Sequence, residues 1–122
     1  MRRVITFGTF DLFHVGHLNI LSRARKLGDR LIVGVSSDDM NEAKKGFRPL
    51  FSLAERMAIV SALRDVDEVF VEESLELKRD YILKYAADVL VMGEDWRGRF
   101  DNLRDICEVV YLPALATSRP LR

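Results

Sequence analysis

The residues best suited to chemistry stand close together near the N-terminus. His14 and His17, the two histidines of the chain, lie within Gly8-Thr9-Phe10-Asp11-Leu12-Phe13-His14-Val15-Gly16-His17. An apolar, β-branched run (Val4, Ile5, Thr6, Phe7) precedes this stretch, and an apolar-periodic one (Leu18, Leu21, Ala24, Leu27) follows it. A strand, a glycine turn and a helix start form an anion-binding device, because the first N–H groups of a helix and its macrodipole favour phosphate. Gly8 is expected to turn the chain off the strand, and Gly16 to let a phosphate approach the helix backbone. Two imidazoles three residues apart can flank one phosphate, each donating from one ring nitrogen while the scaffold holds the other. Phosphoryl and nucleotidyl transfers need alignment and neutralisation of charge on oxygen more than covalent help. The spacing is not the dinucleotide fingerprint, and no Walker lysine follows a glycine pair. The pattern points to an enzyme acting on the phosphates of a nucleotide.

The elements that must position these residues alternate along the chain. Strands are predicted over 3–8, 30–35, 67–71, 88–92 and 107–112. Helices are predicted over 17–27, closed by Gly28 as a C′ residue, over 52–63 from a Ser52…Glu55 capping box, and over 76–86. Asp101 is a candidate cap for a short helix over 102–106. The stretch 36–51 is polar, carries Lys44 and Lys45, and reads as a long connection of the kind that often holds function. Five strands with intervening helices predict an α/β fold: a Rossmann-like, doubly wound, five-stranded parallel sheet in the order 3-2-1-4-5. Ligands then bind at the carboxyl ends of the strands, where the order reverses. Both the histidine motif, after the first strand, and Gly93-Glu94-Asp95-Trp96, after the fourth, fall there.

Composition narrows the setting. The 122 residues predict one domain spanning 1–122, long enough to bury roughly two-thirds of its unfolded surface. Hydrophobic residues make up 48% and charged residues 31%, an ordinary globular mix. Lys plus Arg equals Asp plus Glu, 19 against 19, so no global basic field exists for nucleic acid, and any anion site is local. No apolar run reaches the roughly 18 residues of a membrane helix, so no membrane insertion is expected. The N-terminal apolar segment is interrupted too early for a signal peptide. The single cysteine, Cys107, reads as a small buried hydrophobe, and a cytoplasmic location is the default.

Gly-Thr-Phe-Asp-x-x-His-x-Gly-His resembles the signature of the nucleotidyltransferase superfamily that contains cytidylyltransferases. The likeness extends to Arg64-Asp65-Val66-Asp67-Glu68-Val69, to Val91 through Asp101, and to Cys107 through Pro113, which are similar to bacterial glycerol-3-phosphate cytidylyltransferases. It covers residues 3 to 113, with about one small insertion near 46–51. The resemblance implies transfer of CMP from CTP to sn-glycerol 3-phosphate, giving CDP-glycerol and pyrophosphate, without a covalent enzyme intermediate. It implies Mg²⁺ or another divalent cation, carried as the CTP complex. By the same resemblance Thr9 and Phe10 hold CTP, with Gly16 in the same nucleotide-binding stretch. His14 and His17 line the phosphates and stabilise the pentavalent transition state. Asp11 orients the site or reaches the metal through water. Lys44 contacts phosphate, and Lys78 is associated with the acceptor. Arg64 and Asp95 lie near the base and its surroundings. Read from the residues alone, Lys44 and Lys78 are solvated charges, and Arg64 and Asp95 are a structural ion pair or a cap. Capping explains Ser52 and Glu55, while Arg56 matches a family arginine suited to phosphate. Trp96 reads as core filling. A homodimer, with 64–68 near its interface, and a place in wall teichoic acid synthesis are also implied.

After Pro113 the chain departs from the family's Arg-Thr-x-x-Ile-Ser-Thr-Thr pattern. Ala114 stands at the arginine position, Thr117 and Ser118 echo the hydroxyl run that binds nucleotide phosphates, and Arg119 partly replaces the charge. Losing a charged phosphate contact typically costs on the order of 10²-fold in rate or affinity. Weakened activity is therefore one expectation, and a chain cut short is another. Two further readings stand beside the first. One is a nucleotidyltransferase using CTP or ATP with another small phosphorylated acceptor, such as a sugar phosphate or phosphoethanolamine. The other is a degenerate, non-catalytic nucleotide-binding protein.

Overall fold

The computed structural model describes residues 1–113, and Thr117 and Ser118 fall outside them. Strands β1 (Arg3–Gly8), β2 (Arg30–Ser36), β3 (Glu68–Glu72), β4 (Val89–Gly93) and β5 (Glu108–Leu112) alternate with helices α1 (Val15–Arg25), α2 (Asp38–Lys45), α3 (Leu53–Ser61) and α4 (Lys78–Lys84). All strand pairs are parallel, in the order β3-β2-β1-β4-β5. This is the expected Rossmann-like sheet. The central strand β1 pairs with β2 through Val4↔Leu31 and with β4 through Val4↔Val89. The order reverses between β1 and β4, so the crevice opens at their carboxyl ends, beyond Gly8 and Gly93.

Alternation along the strands splits the core in two. Val4, Leu31, Val33, Val89 and Val91 face Leu21 and Ala24 of α1 and Val60 of α3. Ile5, Phe7, Ile32, Phe70, Leu90 and Met92 face Ile82 of α4 and Tyr111. The period-2 pattern of a strand sends neighbours to opposite faces, and both faces are covered, which is why these strands are almost wholly apolar.

Three local expectations are corrected. The polar stretch 36–51 holds a helix, α2. Its signals are all present: Ser37 accepts from the Met40 N–H, Asp38 and Asp39 open it, Lys44 and Lys45 close it, and Gly46 ends it in the left-handed region at φ 85°. Only Met40 and Asn41 of this helix are buried, so no apolar period betrays it. Residues 102–106 form no α-helix. A 3-10 turn covers Asp101–Leu103, and Asp101 accepts from the Tyr111 hydroxyl rather than capping a helix. Helix α1 begins two residues before the predicted start and ends at Arg25, with Lys26 rather than a left-handed glycine as its C-cap. Gly28 matters for a close approach instead: a Cβ there would meet the Arg2 carbonyl oxygen at 2.6 Å.

Candidate active site

The start of α1 is capped by the two histidines. His14, the N-cap, accepts the Gly16 N–H on Nδ1 at 3.0 Å, and His17 accepts the His14 N–H on its own Nδ1 at 3.2 Å. This is a capping box built from imidazoles in place of the usual hydroxyl and carboxylate. The rings stack with centroids 3.9 Å apart. An Nδ1 that accepts carries no proton, so these bonds assign both rings the tautomer with the proton on Nε2. The pair therefore presents two Nε2–H donors side by side. The bond to His14 occupies the Gly16 N–H, so phosphate recognition here falls to imidazole N–H groups rather than to that backbone group.

Burial, and then the neighbouring His14, lower the His17 pKa to about 4, with Asp11 opposing. His17 is thus neutral at physiological pH. The unfolded histidine, near 6.5, binds protons that the folded one refuses, so this contribution to stability is full above about pH 6.5 and fades as pH falls towards 4. Denaturant midpoints measured from pH 7 down to pH 4.5 are expected to fall, less steeply in a His17→Asn variant. Equal slopes would contradict the assignment.

The turn between β1 and α1 is held from below. Phe10 and Leu12 adopt positive φ, 54° and 49°, a conformation L residues rarely take without surrounding constraint. Arg56 of α3 supplies it. Its guanidinium is fully buried and donates to the carbonyls of Thr9 (2.9 Å), Ser36 (2.8 Å) and Phe51 (3.0 Å) and to the Asp38 carboxylate (2.6 Å). The expectation that Arg56 suits phosphate is corrected, because these four acceptors already engage it. Asp11 accepts the N–H groups of Leu50 (2.8 Å) and Phe51 (2.9 Å). Burial raises its pKa, but the Phe51, Leu50 and Leu12 N–H groups and Arg56 outweigh that, so the carboxyl sits below its ordinary value. Both oxygens serve backbone, which gives Asp11 an orienting geometry. Thr9 donates to the Asn41 amide oxygen at 2.9 Å and accepts from the Ser36 hydroxyl at 3.1 Å. Ser52 and Glu55 form the predicted capping box.

Two lobes open around the end of β1. The larger, about 450 Å³, is lined by Thr9, Phe10, Asp11, His17, Gly93 and Asp95. The smaller, about 280 Å³, is lined by Lys44, Lys45, Glu72 and Lys78 among others. Thr9, Lys45 and Trp96 border both. Lys78 is 3% exposed; its ammonium lies 2.5 Å from Glu72 Oε2, 4.1 Å from the Phe7 ring centroid and 5.1 Å from that of Phe100. Burial pushes the Lys78 ammonium down and the Glu72 carboxyl up, each opposed by the other. Burial, then Lys45, lowers Lys44, with Glu72 opposing.

The structure thus gathers Thr9, Phe10, Asp11, His17, Lys44, Lys78 and Asp95 at one crevice, with exposed His14 stacked on His17. Arg64 is not among them. It is exposed, between the end of α3 and the start of β3, at the amino ends of the strands, and it lines neither lobe. Sequence reading missed Glu72 and Asn41, and noted Lys45 only as part of the polar stretch. Glu72 closes β3, and a carboxylate at the carboxyl end of a buried parallel strand is itself a signal. Trp96, read as core filling, borders both lobes and lies beneath the Lys44 ammonium at 5.8 Å.

Residues 5–116 match a family model described as cytidylyltransferase-like. A glycerol-3-phosphate cytidylyltransferase of Bacillus subtilis (strain 168) is 49% identical over 113 residues, 93% of this chain and 87% of that protein. A protein of the same description from Staphylococcus aureus (strain NCTC 8325 / PS 47) is 46% identical over 112 residues, 92% and 84% of the two chains. Among solved structures, the lipopolysaccharide core biosynthesis protein of Thermoplasma volcanium GSS1 superposes with a TM-score of 0.79 at 27% identity, covering 92% of this chain and 96% of that one.

Proposed function

The chain belongs to the cytidylyltransferase-like family, and we propose that it transfers CMP from CTP to sn-glycerol 3-phosphate, releasing CDP-glycerol and pyrophosphate. The observation that carries this reading is the imidazole capping box, which fixes two Nε2–H donors beside a crevice with a lysine-lined second lobe. The near-half identity to the Bacillus and Staphylococcus enzymes supports the choice of nucleotide and acceptor.

The larger lobe takes the nucleotide, against Thr9, Phe10 and Asp95, and the smaller takes the acceptor. An acceptor phosphate oxygen attacks the α-phosphorus in line. The new O–P bond forms as the bond from the α-phosphorus to the bridging oxygen breaks, and pyrophosphate leaves with that electron pair. His14 and His17 donate to non-bridging oxygens whose charge grows in the pentavalent state. Lys44 neutralises the incoming phosphate, and Lys78 sets the floor on which the acceptor rests. Gly16 acts by lacking a side chain beside the histidines. Asp11 holds the 50–51 segment over the site.

Among the described residues no group of three or more His, Cys, Asp or Glu is placed to hold a metal. The donor set instead suits Mg²⁺ bound chiefly by triphosphate oxygens and water. Of the two carboxylates lining the nucleotide lobe, Asp11 has both oxygens engaged by the Leu50 and Phe51 N–H groups, so Asp95 would be the one to hold such an ion, directly or through water. When bound, the ion neutralises the triphosphate and the leaving pyrophosphate.

We further propose a homodimer. Exposed Arg64, remote from the crevice, fits an interface at 64–68 better than a contact with its own chain's nucleotide. The reaction is placed in the cytoplasm, supplying wall teichoic acid synthesis. Among the described residues no helix is long and apolar enough to cross a membrane.

The test is a screen of four nucleoside triphosphates against glycerol 3-phosphate, phosphoethanolamine and a sugar phosphate, with Mg²⁺, following pyrophosphate. CTP with glycerol 3-phosphate is expected to give the fastest release. Another fastest pair would favour a different acceptor or nucleotide. CTP binding by calorimetry without release from any pair would favour a non-catalytic protein.

A further inference from the structure

The smaller lobe holds a carboxylate that the transfer chemistry does not require. Glu72 is 2% exposed and lines the lobe beside Lys44, Lys45 and Lys78. Its Oε2 is engaged by Lys78 at 2.5 Å, and its Oε1 takes no hydrogen bond from any described residue. A buried acceptor left unsatisfied is unfavourable, and a charged one more so. A site meant only to hold a phosphate dianion would gain nothing from a negative charge on its floor.

We propose that Glu72 reads a hydroxyl group of the acceptor, so that the lobe selects a hydroxylated alkyl phosphate over one that lacks hydroxyls or carries an amine. This rests on the function proposed above and adds the residue that discriminates among acceptors. A phosphate seated against Lys44 and Lys45 places its organic tail towards the Glu72–Lys78 floor, where Oε1 accepts a hydrogen bond from the hydroxyl. An ammonium tail would also suit one carboxylate, but three lysine ammoniums line the same lobe and repel a fourth cation. A neutral hydroxyl satisfies Oε1 without that repulsion. Lys78 serves as the counter-ion to Glu72 in this buried position.

The experiment compares kcat/KM for glycerol 3-phosphate, propyl phosphate and phosphoethanolamine with saturating CTP and Mg²⁺. The wild-type protein is expected to favour glycerol 3-phosphate over propyl phosphate by about 10- to 100-fold, the range for a hydrogen bond to a charged group. Phosphoethanolamine is expected to rank below propyl phosphate. In Glu72→Gln the preference for glycerol 3-phosphate shrinks by about tenfold, since a neutral partner remains. In the double variant Glu72→Met, Lys78→Met, which buries no uncompensated charge and so keeps the test open if the single variant fails to fold, it disappears. A structural role for Glu72 would lower all acceptors together and leave their ratio intact. Equal use of glycerol 3-phosphate and propyl phosphate by the wild type, a wild-type ratio in the double variant, or a preference for phosphoethanolamine each overturns the inference alone. No nucleotidyl transfer to any of the three removes the parent reading with it.

Discussion

Replacing Arg56 by alanine is expected to destabilise the protein by about 3–5 kcal/mol, the range for removing one partner of a buried, hydrogen-bonded ion pair. The guanidinium joins four segments: the Thr9 turn, the end of β2 at Ser36, the Phe51 segment and the start of α2 at Asp38. Alanine leaves three carbonyls and a carboxylate without their donor and opens a cavity at a site with no solvent exposure. Lysine recovers little, because a single ammonium cannot reach acceptors spread across a planar fork. Urea unfolding measures the loss. Transfer activity is expected to fall with it even well below the transition, since the positive-φ turn at Phe10 and Leu12 loses its anchor. A loss under about 1 kcal/mol would show that the four segments hold together without the arginine.

The second large effect separates the two jobs of a single side chain. In His17→Asn the amide oxygen stands near the position of Nδ1 and keeps the bond to the His14 N–H, while the distal N–H donor is gone. Stability is expected to stay within about 1 kcal/mol of wild type, as for other good capping exchanges. The turnover number is expected to drop by about 10²- to 10³-fold, the effect of removing one oxyanion donor. His17→Ala loses both cap and donor and is expected to show both deficits. An asparagine variant that turns over normally would make His17 a helix cap and nothing more.

Much of this was legible in the residues, for identifiable reasons. The five parallel strands were legible in apolar runs separated by helical periods, since a sheet buried on both faces leaves a plain hydrophobic imprint. The histidine motif was legible because both histidines of the chain fall inside ten residues after a strand. The capping role of their Nδ1 atoms was not, because it depends on the exact ring positions at the helix start. Helix α2 escaped because it buries only two residues, so its caps and charges had no apolar stripe to confirm them. Arg56 looked like a phosphate ligand because it matches a family arginine, and such a match does not show how many carbonyls already surround the side chain. Glu72 escaped because its significance lies in one oxygen left unpaired in the fold. Arg64 shows the converse, a residue grouped with the site by resemblance that the fold sets at the opposite end of the sheet.

Phosphorus NMR of wild-type protein with CTP, glycerol 3-phosphate and Mg²⁺ tests most directly whether His14 and His17 grip phosphates in a CMP transfer. The expected spectrum gains the diphosphate resonances of CDP-glycerol and those of pyrophosphate in equal amounts as CTP and glycerol 3-phosphate disappear together, with the rate reduced at least about 10²-fold in His14→Ala. Consumption of CTP without CDP-glycerol, or an undiminished rate in His14→Ala, would contradict it.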